Sequence, residues 1–228
     1  MLIDLKLTLY KDEVSVDSSK YRCMIGCLLY LTDYRSDIMF SVSLCARFQD
    51  NPKESHMDSI LRIFRCIRST QYLGLWYPNG SGIKVCVYAD SDHAGDYVDR
   101  KSTSGVCTLV GECLTQWCCK KQTDLAISTT KDEYVTAGRD CQQALWMRQA
   151  IKDYNTHYED VPVLCDNKGA IDLSKKPRPS LKLNISKFDI TSFETMFKKG
   201  IFLWKKLRLK ITSPTFLPNH SNVKRLII

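Results

Sequence analysis

No stretch of this sequence approaches the roughly 20 apolar residues that a membrane-spanning helix needs. The first ten residues carry Asp4 and Lys6 inside their apolar run, so they lack the uninterrupted core of a secretory signal. Membrane and secreted classes are therefore not expected, and an intracellular location, cytoplasmic or nuclear, is. Eleven cysteines are present, an odd number, yet no Cys-x-x-Cys pair and no His pair at zinc-ligand spacing occurs. A structural zinc finger is thereby disfavoured. Free thiols in a reducing compartment are the simplest expectation, most of them serving as small core residues. Acid is missing from the far end, where no Asp or Glu follows Lys210.

What is present is ordinary globular material, 44% hydrophobic and 25% charged over 228 residues, enough for one large domain or two small ones. The net charge of +8 suits a polyanionic partner such as nucleic acid, and equally suits solubility.

Residues 18 to about 70 carry helical periodicity. Asn51-Pro52 reads as a helix start, and Met57, Ile60, Ile63, Phe64 and Ile67 then form one apolar face. Ile38, Val42 and Cys45 repeat the pattern earlier, and His56 reads as a surface or capping residue. The turn-rich "YPNGSG" at 77–82 marks a boundary, beyond which strands take over. Strands are predicted over 83–89, 106–110 and 114–118, the last two joined through Gly111-Glu112. A long helix over about 130–152, a strand over 161–165 and a short helix over 168–174 follow. Strands joined through a helix imply a mixed α/β sheet with a parallel pair at the crossover. In such sheets, chemistry gathers at the carboxyl ends of strands.

"VYADSDHAGD", residues 87–96, breaks from an apolar strand into Asp90, Asp92 and Asp96. Phosphodiester hydrolysis by two divalent cations needs several carboxylates converging from separate elements. Asp90, Glu133 and Asp166 fit that layout, at two strand ends and a helix start. Each also has a plain reading: Asp90 as a turn residue, Thr130 and Glu133 as a capping box, and Asp166 as a helix N-cap.

The words "YADSDHAGDYVDRKSTSGVCTLVGECLTQWCCKKQ", "AISTTKDEYVTAG" and "LCDNKGAIDL" resemble the ribonuclease H domain of copia-type LTR-retrotransposon Pol polyproteins. Upstream, "YRCMIGCLLYLTDYRSDIMF" and the residues that follow it to Tyr77 resemble the segment joining reverse transcriptase to that domain. The resemblance implies a ribonuclease H-like, five-stranded mixed sheet with flanking helices, preceded by a helical connection segment. It divides the chain into a helical segment at 1–78, a ribonuclease H-like domain at 79–200 and a degenerate basic tail at 201–228. It also implies endonucleolytic cleavage of RNA in RNA–DNA hybrids with Mg²⁺, or Mn²⁺, held by Asp90, Glu133 and Asp166 as catalytic residues and metal ligands. The implied partners are the hybrid itself and the reverse transcriptase portion of the parent polyprotein. The polymerase's paired-Asp motif is missing, so no DNA synthesis is expected.

Departures from the family's words run alongside. His93 stands in place of the usual Trp, and Lys131 in place of an earlier Glu. The later Lys-His-Ile-Asp motif is reduced to Lys187-Phe188-Asp189-Ile190, and the motif that would supply a fourth acid is not recognisable. An alternative is therefore a catalytically inactive retrotransposon remnant with at most weak nucleic-acid binding. Recognition of a hybrid relies on backbone and 2′-hydroxyl contacts, for which Lys101, Ser102, Thr103, Ser104 and Asn167 are candidates. "KKGIFLWKKLRLK", residues 198–210, is basic with interleaved aromatics and suits nucleic acid, or reads as a strand with a solvated basic face.

Overall fold

A computed structural model describes residues 7–175, apart from 11, 78, 81, 82, 124, 126 and 155–160, together with 202–206. The first part is helical: α1 (Ser18–Leu31), α2 (Met39–Cys45) and α3 (Glu54–Ser69). Their apolar faces meet in one cluster containing Tyr21, Ile25, Leu28, Ile38, Val42, Phe48, Ile60 and Ile63. Each large apolar side chain buried there contributes ~1.5–3 kcal/mol. α1 begins where the Asp17 carboxylate accepts from the amides of Ser19 and Lys20.

The expected start of α3 at Asn51-Pro52 is corrected. The Pro52 carbonyl accepts from the Val16 amide, and Ser15 bridges Lys53, so 51–53 are drawn out as extended chain. The helix starts at Glu54, and His56 Nδ1 accepts from the Lys53 amide to cap it. His56 is also fully buried, against Phe48 and Tyr10, rather than on the surface. The sequence pattern could not foresee a pairing across 38 residues.

Strands β1 (Val85–Asp92), β2 (Thr103–Val110) and β3 (Cys113–Lys121) form an antiparallel meander, with Gly111 at φ 65° in the β2–β3 turn. The long helix α4 (Thr129–Asp153) then crosses over to β4 (Val161–Cys165), which runs parallel to β1. Helix α5 (Lys168–Lys175) follows. Phe202–Lys206, expected to open a basic tail, pairs in parallel beside β4 as β5. The sheet order is β3-β2-β1-β4-β5, and the mixed α/β class agrees with the sequence expectation.

The sheet is covered on both faces. Val85, Val87, Ala89, Val161 and Val163 pack against Cys141, Ala144 and Met147 of α4. Tyr88, Cys107, Leu109 and Leu114 point the other way. There Ser36, Met39 and Phe40 of the helical part line a small cavity with Cys107, Leu114 and Trp117. All the described cysteines are free thiols. Among the described residues, no helix is long and apolar enough to cross a membrane.

Candidate active site

β1 runs further than its apolar pattern suggests because β2 holds its polar end in register, with Asp90 opposite Gly105 and Asp92 opposite Thr103. Within the parallel pair, Val87 faces Val163 and Tyr88 faces Leu164. Asp90 lies near the carboxyl end of β1 and Asp166 is the first residue after β4, so both sit at the carboxyl ends of neighbouring parallel strands. The third acid, Glu133, arrives on the first turns of α4. The helix is capped by Ser128, whose Oγ accepts from the Lys131 amide. The Thr130–Glu133 capping box is thus not formed, and Glu133 is left for other contacts. At α5, Asn167 Oδ1 accepts from the Ala170 amide, so the cap is Asn167, not Asp166.

Glu133 is buried and lies at the meeting point. The Cys165 thiol donates to its Oε2 at 3.6 Å. Burial, with Asp90 and Asp166 close by, pushes its carboxyl up to about 8, against the opposing hydrogen bonds from Cys165 and the Ser91 amide. One ligand atom each from Glu133, Cys165 and Asp166 lies within 4.8 Å of the others. Asp90, mostly buried, accepts from the Ser91 amide at 3.0 Å.

Around this cluster lie groups that sequence reasoning missed. Asp132 is fully buried, and its Oδ2 accepts from Ser102 Oγ at 2.7 Å and pairs with His93 Nδ1. Two turns beyond Glu133, Asp140 is completely buried with neither carboxyl oxygen hydrogen-bonded, and burial followed by Glu133 raises its carboxyl well above the usual range. No local signal marks either acid, because both sit inside an ordinary helical pattern.

The residues expected to meet phosphate are placed differently from one another. Ser102, Thr103 and Ser104 are buried, with hydroxyls committed inward: Ser102 to Asp132, Thr103 to the Arg47 guanidinium, and Ser104 to Thr136 and Gln122. Pairing of 103 and 104 with β1 turns this segment into strand, which removes it from the surface. Lys101 and Asn167 are partly exposed, and Asn167 Oδ1 accepts the α5 cap bond. Asp96 accepts from Arg47 Nη1 at 2.7 Å and Lys121 Nζ at 2.5 Å. The motif at 187–190 and most of the basic 198–210 stretch lie outside the described residues.

An antiparallel meander, a crossover helix and a parallel fourth strand, with acids at both central strand ends and on the helix, define a ribonuclease H-like domain. No family model matches the chain. It is 31% identical over 173 residues to the retrovirus-related Pol polyprotein from transposon RE1 of Arabidopsis thaliana, covering 75% of this chain and 12% of that one. It is 33% identical over 156 residues to the Pol polyprotein from transposon TNT 1-94 of Nicotiana tabacum, covering 68% of this chain and 12% of that one. Among solved structures, a foamy viral protease-reverse transcriptase in complex with dsDNA matches with a TM-score of 0.50 at 14% identity, over 89% of this chain and 39% of that one. The chain belongs to the copia-type retrotransposon Pol family, and spans about an eighth of the Pol polyproteins it matches.

Proposed function

We propose that this domain is a divalent-cation-dependent endonuclease that cleaves the RNA strand of RNA–DNA hybrids. The observation that carries the reading is that Glu133 and Asp166 lie with Cys165 within 4.8 Å of one another at the carboxyl end of β4, with Asp90 near enough to help raise the Glu133 carboxyl. Packing carboxylates this tightly costs stability unless a cation or a proton offsets their charge. The donor set is hard oxygen on preformed strand ends, which fits Mg²⁺ or Mn²⁺. Asp90, Glu133 and Asp166 would hold the cation, which when bound supplies charge neutralisation and water activation for attack on a phosphodiester.

The chain's own residues set the rest. The β1–β4 pair fixes the spacing of Asp90 and Asp166. The Ser91 amide and Cys165 thiol orient Glu133, and Ser102 with His93 fixes Asp132 beside it. The net charge of +8 favours approach of a polyanion.

The second reading is a domain that keeps the fold without turnover, favoured by the unrecognisable fourth acid. Incubating the full chain with a hybrid labelled on its RNA strand, with RNA and DNA duplexes in parallel, separates the two. Shortened RNA from the hybrid alone, with Mg²⁺ and not with chelator, is the expected result. Hybrid binding without shortened RNA in either Mg²⁺ or Mn²⁺ would leave the inactive remnant.

A further inference from the structure

We infer that the exposed side of α3 and the segment after it, from Arg62 to Trp76, form a docking surface for single-stranded nucleic acid. The surface belongs to the helical part, and binding there needs neither a cation nor turnover, so it goes beyond the cleavage reading above.

α3 turns Ile60 and Ile63 to the core, while Arg62, Arg65 and Arg68 recur on its exposed side. Residues three apart are neighbours along a helix, so the three guanidiniums make one cationic stripe ~9 Å long. Among the described residues, none of the three forms an ion pair. The acids of α3, Glu54 and Asp58, stand in its first two turns, and no Asp or Glu follows until Asp90. A helix face that only needs solvation mixes both signs of charge. This stripe carries one.

The run that follows is apolar yet open to solvent: Tyr72 is 91% exposed, Leu73 53% and Trp76 76%. It is also held at both ends. Thr70 Oγ1 donates to the Cys66 carbonyl and accepts from Arg35 Nη2, each at 2.7 Å, and the Tyr77 hydroxyl donates to the Leu114 carbonyl of β3 at 2.8 Å. Apolar side chains grouped in water on a held segment mark a contact surface.

Charge and aromaticity together select the occupant. Arginines without acids favour a polyanion. Tyr72 and Trp76 offer ring faces for bases to stack on; a duplex keeps its base faces stacked inside, whereas an unpaired strand presents them. The helical stripe of ~9 Å and up to ~13 Å of chain from Tyr72 to Trp76 suit about four nucleotides.

The test is fluorescence anisotropy of the full chain with a labelled oligothymidylate of about 12 nucleotides, in chelator, over a salt series, with a blunt DNA duplex of the same length in parallel. The single strand should bind more tightly than the duplex. In Arg62→Ala/Arg65→Ala/Arg68→Ala the slope of log affinity against log salt should be shallower by ~2, because each phosphate contact to a single strand accounts for ~0.7. Tyr72→Ala/Trp76→Ala should weaken binding ~10-fold or more at fixed salt and leave the slope unchanged, and Trp76→Phe should keep the affinity. Should the triple variant lose its far-ultraviolet circular dichroism, Arg65→Gln decides in its place, with a slope shallower by ~0.7. Tighter binding of the duplex, an unchanged slope in the arginine variants or unchanged affinity in the aromatic double variant overturns the inference. A wild type that binds no oligothymidylate also overturns it and leaves the surface to a protein partner. None of these readouts passes through hybrid cleavage, so each reading fails by its own measurement.

Discussion

At neutral pH and without a cation, Glu133 keeps its proton. Its carboxyl is pushed from an ordinary 4.5 to about 8 by burial, then by Asp90 and Asp166. Between those values the unfolded chain releases a proton that the folded chain retains, so stability is greatest below 4.5 and falls as pH rises through 8. In metal-free denaturation, the unfolding free energy should decline from pH 5 to pH 8, by up to ~1.4 kcal/mol per pH unit near the steepest part. Glu133→Gln should flatten that decline, and on the proposed reading added Mg²⁺ should flatten it too by competing with the proton for the carboxylate. A parallel decline in Glu133→Gln would assign the pH dependence to other groups. At this scale distinctive words at element ends pointed to Asp90, Glu133 and Asp166, and the structure brings Glu133 and Asp166 together with Cys165. The sequence was uninformative about Asp132, His93 and Asp140, whose roles come from neighbours 30 or more residues away or from burial alone.

The segment between β1 and β2 is held by Asp96. Despite the cost of burial, the Lys121 ammonium, the Val98 amide and the Arg47 guanidinium hold its carboxyl down to about 2. A depressed carboxyl contributes stability above its unfolded value of 3.8 that is lost as pH falls through about 2. Asp96→Asn should therefore remove an acid-induced loss of stability between pH 4 and 2, and cost ~2–3 kcal/mol at pH 7 by leaving Arg47 and Lys121 without their shared partner. Chemical denaturation at the two pH values checks both parts. In the same segment, a Cβ at Gly95 would meet Asp92 Oδ2 at 1.6 Å. Gly95→Ala must move Asp92, and a lowered denaturation midpoint is the expected result.

Element by element, apolar periodicity located α4, β4 and the β2–β3 hairpin closely. It stopped β1 short at Ala89 and β2 at Val106, because Asp90–Asp92 and Thr103–Gly105 are strand only through their pairing with each other. β5 was legible as a possible strand in a basic stretch, but its place beside β4 depends on a connection that no local pattern encodes.

On the scale of the whole molecule, the helical part acts as a cover for one face of the sheet. Trp117 Nε1 on β3 donates to the Thr32 carbonyl after α1 at 2.8 Å, and Arg47 reaches across to Asp96 and Thr103. Removing residues 1–70 would expose Cys107, Leu114 and Trp117 together, so that truncated protein should bind a hydrophobic dye and aggregate where the full chain does not. A soluble, dye-silent truncation would show that the sheet does not need this cover.

The fold and the acid cluster together make one chemical claim, that Asp90 helps hold the cation on which RNA cleavage depends. The most direct measurement is the rate of RNA-strand cleavage in a hybrid by the wild type and by Asp90→Asn, at saturating Mg²⁺ and with both proteins shown to be folded. A fall of at least ~10²-fold in the variant is the predicted result. Equal rates in the two proteins would contradict it.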